Sequence, residues 1–140
     1  MTLAMSWDEW ARHDGLALAA RVANGELTAA ELATQAAAGI AKVDPALSGV
    51  VEVFADAIED PAKAGANLAG PFAGLPFLMK DLGPTMAGRL QEQGSLYMRG
   101  NRPGADTHLT SKMRKAGLNL MGRTTTPEFG VCSSAENPAV

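Results

Sequence analysis

The segment Gly70-Pro71-Phe72-Ala73-Gly74-Leu75-Pro76-Phe77-Leu78-Met79-Lys80-Asp81 constrains this chain more than any other. An apolar run punctuated by Gly and Pro ends abruptly in a lysine. A short, continuous apolar run of this kind reads as a buried strand, and α/β proteins place their chemistry at the C-terminal ends of such strands. An amine held among Phe77, Leu78 and Met79 is a candidate for a lowered pKa, because desolvation disfavours its charged form. A lysine that is neutral at pH 7 is a base. The plainer reading of the same residues is a Lys-Asp pair that turns into solvent where the strand stops.

The flanking sequence supplies helices and a second strand. Asp14 precedes a helical stretch expected to run to about Asn24, with Gly25 just past its end. Thr28 and Glu31 form a Thr-x-x-Glu capping pattern. Leu32, Ala36, Ile40 and Val43 follow it on one helical face, and the helix is expected to end at Asp44-Pro45. Val50, Val51, Val53 and Phe54 read as a short strand. Ala55 to Leu68 reads as a helix, with Pro61 as a candidate break. Gly83 to Gly104 contains five glycines and two prolines. It shows no clear period, so it reads as a long loop, either ordinary surface or functional. Asp106 or Thr107 then caps a helix bearing Leu109, Met113 and Ala116, which Gly117 ends, and Leu118–Thr125 reads as a second core strand. Strand, helix, Gly and strand in this order predict two neighbouring strands of one sheet.

Charge and composition exclude several function classes. The chain has 140 residues, 46% hydrophobic and 19% charged, with a formal net charge of −3. Those values fit a globular domain and argue against a general affinity for nucleic acid or acidic membranes. Arg89, Arg99, Arg102, Arg114 and Arg123 form no compact run. His13 and His108, the only histidines, are too dispersed for a metal cluster, and there is no P-loop or Gly-x-Gly-x-x-Gly motif, so no metal or organic cofactor is expected. A single cysteine, Cys132, excludes an internal disulfide and suggests a reducing, cytoplasmic compartment. The residue type most often packs as a small buried apolar group. Trp7, Asp8, Glu9 and Arg12 interrupt any signal-type apolar core, and Leu16 to Ala23 contains Arg21 and is too short to span a bilayer.

Several motifs, in order, resemble those of one family. Gly70–Asp81 resembles the lysine segment of the amidase signature enzymes, serine hydrolases of carboxamides. Gly94-Ser95 resembles that family's next short motif. Ala116-Gly117-Leu118-Asn119-Leu120-Met121-Gly122-Arg123-Thr124-Thr125-Thr126-Pro127-Glu128-Phe129-Gly130 resembles its "AGA…GKTNxPEF" block, with Arg123 in place of lysine and Thr125 in place of asparagine. The first substitution keeps the charge, and the second removes an amide that can hydrogen-bond two backbone groups. The residues around Gly15-Leu16-Ala17, Gly25-Glu26 and Glu31-Leu32 fit the family's helical opening.

The resemblance carries a set of expectations. The fold is α/β, a mixed central sheet covered by helices on both faces, here its N-terminal part with two leading helices. Residues 1–69 form a helical segment packed on the core, and 70–140 begin the core itself. The activity is hydrolysis of a carbon–nitrogen amide bond by a serine, a second serine on a cis peptide bond, and a lysine. Lys80 matches that lysine. The two serines are expected downstream of Asn137-Pro138. None of Ser6, Ser48, Ser95, Ser111, Ser133 and Ser134 has the required Gly/Ser-rich context, so residues 1–140 alone are expected to be inactive. Gly130, Val131 and Cys132 are candidates for the acyl-pocket wall. The partners implied are a small-molecule amide and the remaining part of the same fold, with a homodimer left open. The alternative is a non-catalytic binding or assembly subunit made of this segment.

Overall fold

The computed structural model describes residues 3–135. Asn137-Pro138, beyond which the serine-bearing segment is expected, lie outside the described residues. A short helix α1 (Trp7–Trp10) is followed by α2 (Gly15–Ala23) and α3 (Ala29–Leu47). Their starts follow from side-chain caps. Asp14 Oδ1 accepts from the Ala17 amide at 2.8 Å. At α3, Thr28 Oγ1 accepts from the Glu31 amide at 3.1 Å while Glu31 Oε2 accepts from the Thr28 amide at 2.8 Å, the reciprocal box expected from the sequence. Gly25, in the left-handed region, lies just past α2.

Two of the expected boundaries are wrong. Helix α3 does not stop at Asp44-Pro45 but continues to Leu47, with Pro45 inside its last turn. Proline there forfeits only a bond to the Ala41 carbonyl, and Ala41 is exposed, so water can take that carbonyl. The Asp44 carboxylate closes the end by accepting from the amides of Gly49 and Val50. Conversely, α4 covers only Ala55–Glu59 instead of reaching Leu68. Asp60 is extended at φ −144°, the conformation forced on a residue before proline, and Pro61 therefore breaks the segment.

Three strands form one mixed sheet in the order β1 (Val50–Val53), β3 (Asn119–Thr124), β2 (Pro76–Lys80). Strand β1 runs antiparallel to β3, and β2 runs parallel to it. The crossover from β2 to β3 carries a long loop and α5 (His108–Ala116), as strand–helix–strand order requires. Thr107 supplies the α5 cap, while Asp106 accepts instead from the Ala87 amide and Arg114. Gly117, at φ 103°, ends α5 and lets β3 start two residues later. Asn119 to Arg123 are all buried, so the central strand is covered on both faces. At Gly122 an added Cβ would stand 2.5 Å from the Glu52 carbonyl oxygen, which explains a glycine in the middle of a strand.

The apolar interior has two parts. Phe54, Ala57, Met79, Met86, Leu120 and Met121 pack with Ala36, Ala37 and Ile40 of α3 and Met113 of α5. Met5, Leu18, Leu27 and Leu32 form a second cluster with Trp10, Val22 and Leu75. Buried Gln35 fastens the N-terminal segment to it, accepting from the Met5 amide at 3.0 Å and donating to the Met5 carbonyl at 2.9 Å.

Candidate active site

Lys80 is the last residue of β2 and sits level with Thr124 of β3, so the two parallel strands end together. Met79 is buried and Lys80 is exposed, as alternation along a strand requires. The apolar run therefore packs through Met79 and leaves the ammonium at the surface of residues 3–135. Asp81 turns the other way and is only 2% exposed. Its amide donates to the Thr124 carbonyl at 3.0 Å, and its carboxylate accepts from the amides of Glu92 at 3.0 Å and Gly94 at 3.4 Å.

Arg123 organises this strand end. It is 4% exposed, and its three nitrogens reach three carboxylates on three different segments. Nε donates to Glu52 of β1 at 2.9 Å, Nη1 to Asp81 at 3.0 Å, and Nη2 to Glu92 of the long loop at 2.8 Å. Burial alone would lower the Arg123 pKa, but the bonds to Glu92 and Asp81 outweigh it and the pKa is raised. Glu92 is held below the ordinary carboxylate range, first by the Gly100 amide at 2.8 Å and then by Arg123, against the opposing effect of burial. In the sequence, Arg123 shows only as a retained charge. The planar guanidinium spreads its donors over three nitrogens and so reaches three separate carboxylates, whereas an ammonium's three donors radiate from one nitrogen.

The remaining motif residues meet beside this knot. Ser95 Oγ donates to Glu128 Oε1 at 2.7 Å and accepts from the Tyr97 amide at 3.2 Å. The Phe129 amide donates to the Gln93 carbonyl at 2.9 Å. Gln93 and Phe129 both occupy the left-handed region, at φ 55° and 50°, which costs about 1–2 kcal/mol for a residue with a Cβ. Each is followed by a left-handed glycine, Gly94 or Gly130. Two tight turns thus face each other, held by a side-chain and a backbone bond, and strain of this kind clusters at functional sites. The long Gly83–Gly104 loop is ordered by further internal bonds, including Asn101 Nδ2 to the Gln91 carbonyl at 2.9 Å.

Gly130 packs against Leu82, two residues beyond Lys80; a Cβ added to Gly130 would meet Leu82 Cδ2 at 2.6 Å. Val131 follows at 79% exposure, and Cys132 is exposed. The expectation of a buried Cys132 is therefore corrected: the turn at Phe129-Gly130 carries the chain away from the core. Among the described residues no group of three or more His, Cys, Asp or Glu side chains could hold a metal ion. No helix among them is long and apolar enough to cross a membrane.

A mixed α/β sheet with a lysine at the end of its parallel strand, and two loop motifs tied around that end, defines the class. The Amidase family profile matches residues 31–140, and the chain belongs to that family. It is 36% identical to a glutamyl-tRNA(Gln) amidotransferase subunit from Mycobacterium avium, covering 94% of this chain and 28% of that protein. It is 33% identical to 6-aminohexanoate-cyclic-dimer hydrolase of Paenarthrobacter ureafaciens, covering 88% and 24%. Among solved structures, a 6-aminohexanoate cyclic dimer hydrolase superposes with a TM-score of 0.80 at 32% identity, over 91% of this chain and 26% of that one. Native peptide amidase from Stenotrophomonas maltophilia superposes at 0.75 with 33% identity, over 86% and 26%. The chain thus spans about a quarter of the length of the relatives it matches.

Proposed function

We propose that this chain is part of an amidase that hydrolyses a carbon–nitrogen amide bond through an acyl-enzyme, with Lys80 as the base. The observation that carries the reading is convergence. Lys80-Asp81, Gly94-Ser95 and Thr126–Gly130, three segments far apart in sequence, meet at one strand end through Asp81–Arg123, Ser95–Glu128 and Gln93–Phe129 contacts. The hydrolase names among the relatives support the same chemistry.

In this reading neutral Lys80 accepts a proton, relayed through one serine, from a second serine whose oxygen attacks the amide carbonyl. The tetrahedral oxyanion is held by backbone N–H donors of the glycine-rich segment that carries the serines. Lys80 returns the proton to the nitrogen as the C–N bond breaks and the amine leaves. Water then attacks the acyl ester, giving the carboxylic acid and restoring the serine. Burial of Lys80 is assigned to the rest of the fold, which would cover the exposed end of β2.

Gly130, Val131 and Cys132 are assigned to the acyl-pocket wall, because Gly130 lies against Leu82 just past Lys80. In the full-length enzyme, Val131→Trp should change the ratio of turnover between short and bulky amides about tenfold. An unchanged ratio removes Val131 from the pocket. The test of the reaction class is covalent labelling of the full-length protein by a fluorophosphonate serine probe. Rapid labelling that Lys80→Ala slows at least about a hundredfold is expected. Labelling that Lys80→Ala leaves untouched overturns the assignment of Lys80, and no labelling of the parent favours a non-catalytic role for the chain.

A further inference from the structure

We propose that Arg123 is a positioning residue for Lys80, acting through Asp81, by holding that carboxylate away from the neighbouring amine. This rests on the reading of Lys80 as the base. Besides Lys80, the charged groups at this strand end are Glu52 on β1, Asp81 after β2, Glu92 and Arg99 in the long loop, Arg123 on β3 and Glu128 in the turn beyond it. Glu128 is engaged by Ser95, and the other three carboxylates all converge on Arg123. Of these, Asp81 is the one adjacent to Lys80 in the chain.

Its geometry is over-determined. The backbone amide of Asp81 is fixed to Thr124, and its buried carboxylate takes the guanidinium and two loop amides, whereas Lys80 is exposed. An unanchored Asp81 would be a carboxylate on a flexible turn beside the amine. Pairing with the ammonium would favour the charged form of Lys80, which cannot accept a proton. Arg123 removes that competitor and fixes the peptide from which the Lys80 side chain leaves, so only the four-carbon stem retains freedom. A role confined to fastening the loop would affect how much enzyme folds, not the pH at which the folded enzyme works.

The test is the pH dependence of kcat/KM on an amide substrate in the full-length enzyme, with active sites counted by the serine probe. Arg123→Gln should move the acidic limb of the profile up by about one pH unit, since an opposite charge within pairing distance shifts a pKa by that order. Arg123→Lys, which keeps a charge but loses the span of the guanidinium's three nitrogens, should shift it in the same direction and serves if Arg123→Gln fails to fold. Adding Asp81→Asn to either variant should return the limb to its original position, because the competing anion is gone. Unshifted limbs in the Arg123 variants, with only fewer titratable sites, would overturn the proposal while leaving Lys80 as the base. Activity surviving in Lys80→Ala would instead overturn the reading beneath it.

Discussion

The α2–α3 region and the strand-end knot sit in one chain but are held by opposite means. Around α2 and α3, Met5, Leu18, Leu27 and Leu32 exclude water, and the polar contacts there are local caps, the Gln35 clamp on Met5 and the Arg21 pairs with Glu9 and Glu26, whose carboxylates are largely exposed. At the ends of β2 and β3 the buried groups are charged, and Arg123 stands where an apolar side chain would ordinarily fill the space. Apolar packing is non-directional and tolerates repacking. A guanidinium shared by three carboxylates fixes direction, at the expense of desolvating Arg123 and Asp81, while Glu52 and Glu92 stay partly in water. The contrast separates a part of the molecule held by apolar packing from one in which a buried charge ties β1, the end of β2 and the long loop together.

Breaking the knot should therefore have the largest effect. Arg123→Met leaves Asp81 buried without its cation and should lower stability by about 3–5 kcal/mol, the range for removing one partner of a buried ion pair. Urea denaturation measures it; a loss below about 1 kcal/mol would show that the pairs contribute nothing net. Leu32→Ala, at a fully buried position in the other region, should cost about 2–5 kcal/mol. Unlike Arg123→Met, it should leave the acidic limb of the activity profile in place. A shifted limb in Leu32→Ala would erase the distinction between the two regions.

The smallest expected difference is in acid. Glu92 is depressed in the folded protein, so its contribution is fully present above its unfolded pKa near 4.3. It is lost as the pH falls from there through the lower folded value. Thermal unfolding from about pH 6 to pH 3 should thus fall more steeply in the parent than in Glu92→Gln. Parallel curves would exclude Glu92 as a titrating member of the knot. No such contribution is expected from the Leu32 cluster, which has no ionisable member.

How far the fold could be read beforehand follows the same division. Local signals were legible: the Thr28–Glu31 box, Gly117 closing α5, and β2 and β3 as neighbours in one sheet. One helix end, at Pro45, differs from the sequence expectation and the other, at Pro61, takes the break named as the alternative, because proline acts through context. Pro45 lost only an exposed bond, whereas Pro61 imposed its restriction on Asp60. The knot was not legible, because Glu52, Asp81 and Glu92 lie 71, 42 and 31 residues from Arg123 and no window of sequence joins them. The apolar run singles out Lys80 in the sequence, yet β2 buries Met79 and leaves the amine exposed, since alternation allows only one of the two inside. Cys132 was misread because residue type was weighed without the Phe129-Gly130 turn that carries it outward.

The central claim is that Lys80 is the base of an amide hydrolase. Steady-state turnover of a carboxamide by the full-length enzyme and its Lys80→Ala variant tests it most directly, with rates expressed per correctly folded molecule. Loss of a positioned general base predicts a fall in kcat of at least about a hundredfold with folding intact. Turnover within a few-fold of the parent would contradict the account.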